Sequence, residues 1–134
     1  MARARDRLMR VHHVAFRTKK LARLARFYRE VVGLRVVRET QRSVWLDAGG
    51  TIVMLERAAR AEPRVPRASL ELVCFAARSK KDLAARRAQV ERHARVEGET
   101  DYTFYFRDPD GRRVGFSRYR LTARSARPRR TPAD

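Results

Sequence analysis

The sequence predicts an α+β protein made of two βαβββ units. Three observations lead there. Several short runs alternate apolar and polar residues, which is the period of a strand with one buried face. One stretch in each half instead repeats apolar residues at helical spacing. The two halves also match each other in order. Val11-His12-His13-Val14-Ala15-Phe16 aligns with Leu70-Glu71-Leu72-Val73-Cys74-Phe75, and residues 50–57 align with 111–118. Agreement at both ends of a unit favours duplication over chance similarity between short strands.

The first unit covers residues 10–57. Val11–Thr18 alternates and reads as a strand. Leu21, Leu24, Phe27, Tyr28, Val31 and Val32 share one helical face, with Arg23, Arg26, Arg29 and Glu30 opposite. Gly33 is a natural stop, because glycine tolerates the left-handed conformation that ends a helix. Leu34–Glu39, Ser43–Asp47 and Thr51–Arg57 read as strands, the last two joined by a tight turn at Ala48-Gly49-Gly50. Residues 58–67 hold Pro63, Pro66 and several charges and read as a linker.

The second unit, 68–119, restarts the pattern with a strand at Leu70–Ala77. Ser79-Lys80-Lys81-Asp82 resembles a capping box, ahead of Leu83, Arg87, Val90 and Ala94 on one helical face. A weak strand near Val96 precedes Tyr102–Arg107 and Arg112–Tyr119. Between the last two stands Asp108-Pro109-Asp110-Gly111, where Pro sets φ and Gly permits a positive one. Residues 1–9 read as a basic flexible arm. Residues 120–134 carry Arg, Pro, Ser and Thr with little apolar material and read as a disordered basic tail.

A chain of 134 residues is long enough to bury a core as a single domain. Its longest apolar run, Leu70–Ala77, is interrupted by Glu71, so no segment is expected to span a bilayer. The opening MARARDRLMR lacks the apolar segment of a signal peptide, and the single Cys74 excludes an intrachain disulfide framework. A cytoplasmic protein is the expectation. The formal net charge is +18, and 29 of the 33 basic residues are arginine. Arginine pairs with phosphates and stacks on bases, which raises nucleic acid as a partner. The arginines are spread along the whole chain, however, and that pattern reads first as solvated surface.

A duplicated βαβββ unit with these residues resembles the vicinal oxygen chelate superfamily, the group of glyoxalase I, extradiol dioxygenases, and fosfomycin and bleomycin resistance proteins. The resemblance rests on His12-His13-Val14-Ala15-Phe16, on Phe27-Tyr28-Arg29-Glu30-Val31-Val32-Gly33-Leu34, and on Asp108-Pro109-Asp110-Gly111, in this order across residues 10–119. It implies two units forming an open half-barrel of mixed sheet with the helices outside and a ligand in the concave face. It also implies a homodimer. In metal-dependent members, the first and last strands of each unit supply the ligands of a divalent cation.

Strand parity assigns residues to those places, because alternate residues share a face. With Val14 and Phe16 packed under the helix, His13, Ala15 and Arg17 face the cavity. By the same argument Ile52, Met54, Glu56, Leu72, Cys74, Arg113, Gly115 and Ser117 face it. The four metal positions then read His13, Met54, Leu72 and Gly115. Only the first can bind a hard or borderline cation. No metal cofactor is therefore expected; if one binds, His13 and Glu56 are its ligands. Arg17 and Arg113 read either as partners of strand carboxylates or as recognition elements for an anionic ligand. Trp45, Tyr102, Phe104 and Phe106 read either as an aromatic wall for a planar ligand or as core. Cys74 reads as a small buried hydrophobe, and His12 as packed at the strand start.

The leading expectation is a protein that binds a small, anionic organic molecule through His13, Arg17, Trp45, Met54, Glu56, Leu72, Phe104, Phe106, Arg113 and Gly115, without metal. A divalent-metal-dependent lyase, isomerase or dioxygenase is the alternative, and an Arg-rich nucleic-acid-associated protein the third reading.

Overall fold

A computed structural model describes residues 9–121. The expected arm, apart from Met9, and the expected tail beyond Leu121 lie outside the described residues. The first unit runs β1 (His13–Thr18), α1 (Leu21–Phe27), a π-helical turn (Tyr28–Val32), β2 (Arg35–Glu39), β3 (Ser43–Asp47) and β4 (Ile52–Arg57). The second runs β5 (Leu72–Ala76), α2 (Lys80–Glu91), β6 (Val96–Glu99), β7 (Thr103–Arg107) and β8 (Arg113–Ser117). Each unit forms a four-stranded mixed sheet, in the orders β1-β4-β3-β2 and β5-β8-β7-β6. Only the β1/β4 and β5/β8 pairs are parallel, because each closing strand returns to lie beside the opening one. The sheets do not close into a barrel.

The duplication extends to irregularities. Both second strands carry a bulge at the same place, between Val36 and Arg38 in β2 and between Val96 and Gly98 in β6. Helix ends follow their local chemistry. Ser79 caps α2 by accepting the Asp82 N–H at 3.0 Å, while the Asp82 carboxylate accepts the Arg78 N–H at 2.8 Å. Gly33 ends the π-turn at φ 90°, a conformation that disfavours side chains. The π-turn widens the helix so that Tyr28, Val31 and Val32 are all buried.

One core joins the two units. Phe16, Leu24, Tyr28, Val53 and Leu55 pack in the same cluster as Phe104, Phe106, Val114 and Phe116. Burying a side chain of this size stabilises the fold by about 1.5–3 kcal/mol. Across that core, the Tyr28 hydroxyl donates to Asp108 Oδ2 at 2.7 Å. Asp108 is buried and also accepts the N–H groups of Asp110 and Arg112, which shapes the turn before β8. Burial first, and then the neighbouring Asp108 charge, push the Tyr28 phenol well above its ordinary range. Two of the sequence motifs thus meet as a latch between the units.

Candidate functional site

The alternation along each strand divides every sheet into a face under the helices and an open face. In β1, Phe16 and Thr18 are buried while His13, Ala15 and Arg17 are exposed. In β4, Val53 and Leu55 are buried while Ile52, Met54 and Glu56 are half-buried. The register carries this parity across the ladders. Met54 lies between Ala15 and Trp45, and Glu56 between Arg17 and Ser43. His13, Arg17, Trp45, Met54 and Glu56 therefore share the open face of the first sheet. Leu72, Arg113 and Gly115 share that of the second, where Leu72 pairs with Arg113 and Cys74 with Gly115.

Phe104 and Phe106 do not belong to this face. Their register partners are Phe116 and Val114, and the rings are 1% and 0% exposed in the core. They stack on one another with centroids 5.9 Å apart. Their aromatic character suggested a ligand wall, but their parity is that of the packing residues. The open-face aromatic of β7 is Tyr105. It holds the place in the second unit that Trp45 holds in the first, and comparing the repeats position by position would have found it. Tyr102 sits at the margin, 37% exposed, against Tyr119. Cys74 is exposed rather than buried. His12 is not packed at the strand start either. It is exposed, with its Nδ1 2.9 Å from that of His13.

Arg17 and Arg113, the open-face arginines singled out from the sequence, both have acidic company. Arg17 bonds Glu62 of the linker through two guanidinium nitrogens, one of them at 3.1 Å, and lies 3.7 Å from Glu56. The Arg17 hydrogen bonds, joined by one from the Ala59 N–H, hold the Glu62 carboxyl down at about 2. Arg113 stacks on Tyr105, its guanidinium carbon 4.0 Å from the ring centroid, and reaches Glu97 only at 3.5 Å. Glu97 is gripped more closely by Arg107, at 2.5 and 2.9 Å.

Two donors stand out. Trp45 Nε1 and Arg113 Nε are buried without a hydrogen-bond partner among the described residues. Arg38 stacks over Trp45 at 5.0 Å, as Tyr105 does against Arg113. The two units thus place comparable features on their open faces: an aromatic ring, an arginine against it, and one orphaned N–H. Buried donors without acceptors are rare, since each forfeits the hydrogen bond that water would supply.

The metal positions offer little to a cation. His13 brings an imidazole, Met54 a thioether and Leu72 an alkyl chain. Gly115 has no room for a ligand, because a Cβ there would collide with the Phe104 carbonyl oxygen. Glu56, the carboxylate the sequence reading added to His13, faces Arg17. No cluster of three or more His, Cys, Asp or Glu side chains suited to a metal exists among the described residues. This donor set does not fit a divalent cation.

The model for the Glyoxalase/Bleomycin resistance protein/Dioxygenase superfamily matches residues 10–116. The chain belongs to this superfamily. Solved structures agree on its fold. A lactoylglutathione lyase from Agrobacterium tumefaciens is 24% identical, with a TM-score of 0.66 over 81% of this chain and 92% of its own. An integron cassette protein from the mobile metagenome of the Halifax Harbour sewage outfall is 19% identical, with a TM-score of 0.67 over 84% and 100%. A trypanothione-dependent glyoxalase I from Leishmania major is 18% identical, with a TM-score of 0.67 over 83% and 87%. No match was found among curated proteins.

Proposed function

We propose that this glyoxalase-like protein binds a small organic molecule rich in hydrogen-bond acceptors, an organic acid in the simplest case, on its open face and without a divalent metal. The observation that carries this reading is the pair of orphaned donors, Trp45 Nε1 and Arg113 Nε. An acceptor-bearing ligand that displaced Arg38 or slid beside Tyr105 would satisfy them. A carboxylate gains most, because a hydrogen bond from guanidinium to an anion is about twice as strong as a neutral one. The half-buried Trp45 and Met54 supply an apolar floor.

Thermal-shift screening of small acids against their neutral amides tests the proposal. The acids should stabilise the protein more, and Arg113→Ala should remove most of that preference while leaving the unliganded melting temperature within a few degrees. Equal stabilisation by amides would leave Arg113 as a structural partner of Glu97 and Tyr105.

Two chains are proposed to pair over the open faces. Leu70, just ahead of β5, and Leu72, its first residue, are 71% and 41% exposed, and a partner would cover them. Light scattering at micromolar concentration should return a dimer mass, and a monomer would refute the pairing. A cytoplasmic setting suits the exposed thiol of Cys74, and no helix among the described residues is long and apolar enough to cross a membrane.

A further inference from the structure

A separate crevice of about 460 Å³ opens where the linker crosses the end of β1 and the turn before β8. Its walls are apolar and stiff: Ala58, Pro63, Val65 and Pro66 on the linker side, Pro109 on the turn. It is also crowded with positive charge. Arg17, Lys19, Lys20, Arg23, Arg64 and Arg67 line it, against the single carboxylate of Asp110.

These cations fall into two groups. Arg17 is bonded to Glu62, Lys19 donates to the Arg60 carbonyl at 2.8 Å, and Arg23 pairs with Asp110 at 3.0 Å. Those contacts pin the linker and the turn in place. The Ala58 N–H reinforces them by donating to the Thr18 carbonyl at 2.7 Å. Lys20, Arg64 and Arg67 form the second group, and no side-chain partner engages their charged ends among the described residues. The Asp110 carboxylate is already shared between Arg23 and Arg112, the latter at 3.1 Å, so it does not neutralise them. Arg67 is nonetheless positioned, because its stem lies over Gly111, where a Cβ would meet its Cγ at 2.8 Å.

Like charges gathered around one cavity repel, and an anion entering it relieves that repulsion. We infer that this crevice, which borders the open face at Arg17 but lies apart from its donors Trp45 and Arg113, is a second ligand site that takes an organic dianion with an apolar body, a phosphate monoester by class. Three free cations favour a dianion over a monocarboxylate. A phosphate monoester carries nearly two charges near neutral pH, and its oxygens accept bidentate arginine bonds. The proline and valine walls suit an aromatic or alkyl substituent, which inorganic phosphate lacks. The volume lies within the range of small-molecule pockets.

Calorimetric titration of the full chain at fixed ionic strength tests the site. Phenyl phosphate should bind more tightly than inorganic phosphate or benzoate, and phenol should not bind measurably. Arg64→Ala should weaken phenyl phosphate about ten-fold or more, the effect of one lost charged hydrogen bond. Arg67→Met, which keeps the stem over Gly111 and removes only the charge, should do the same. Arg113→Ala should leave the Arg64-dependent part of this binding unchanged, which separates the crevice from the open face. Phenol binding as tightly as phenyl phosphate would overturn the inference. So would full affinity in both the Arg64 and Arg67 variants, or loss of the Arg64-dependent component on changing Arg113 alone.

Discussion

Gly115 occupies the strand position at which metal-dependent relatives are expected to carry a ligand, and its surroundings forbid any side chain. Its register partner is Tyr105, and the Phe104 carbonyl lies where a Cβ would stand. The obstruction is backbone in the middle of a ladder, so it cannot swing aside as a flexible side chain would. Gly115→Ala should therefore destabilise the protein by roughly 1–3 kcal/mol, the usual cost of overpacking, read as a lowered midpoint in chemical denaturation. An unchanged midpoint would mean that β7 and β8 can separate there. Restoring a carboxylate at this position is thus not a local edit of the site. Gly98 shows a related close approach, since the Tyr105 ring lies across it where a side chain would otherwise stand. Reading residues by type alone would not reveal either contact. Parity and repeat position placed Gly115 on the open face, whereas the steric reason for glycine became visible only with the facing strand.

At the scale of elements, the strands and helices were largely legible because period and turn chemistry agree over each of them. Ser43–Asp47 and the Asp108–Gly111 turn sit where alternation and proline placed them. The misreading of Phe104 and Phe106 has a simple physical origin: aromatic residues serve cores and ligand walls equally, and only pairing with Val114 and Phe116 decides the side. The linker was the least legible element. Two prolines and several charges marked it as a spacer, yet it is fastened to β1 through Glu62. That carboxyl is held near 2 in the folded chain, against about 4.5 as its ordinary value. A group depressed on folding stabilises the fold above its unfolded pKa and loses that contribution as pH falls through the folded one. Its stabilisation should thus be full above about pH 4.5 and fade towards pH 2. Melting temperatures at pH 6 and pH 3 should differ less in Glu62→Gln than in the parent. An identical acid response would detach Glu62 from the linker's anchoring. The crevice was beyond the reach of the sequence for the same reason, since its walls come from residues 17–23, 58–67 and 109–110.

The whole molecule is two copies of one unit whose open faces carry parallel arrangements rather than a shared ligand set. The latch from Tyr28 to Asp108 and the common core fix how the units meet, while the four positions expected to hold a cation contribute one imidazole among them. A single imidazole holds a divalent ion weakly, because tight sites need three or four ligands in fixed geometry. The formal charge of +18 adds a general repulsion to any incoming cation. The central claim, that this glyoxalase-like chain works as a metal-independent binder, is tested most directly by elemental analysis. The protein, purified without a histidine tag, would be incubated with excess Zn²⁺, Ni²⁺, Mn²⁺ or Fe²⁺ and then passed through gel filtration. Well below one ion per chain should remain in every case. One equivalent that survives filtration and disappears in His13→Ala would contradict the claim and make the open face a metal centre.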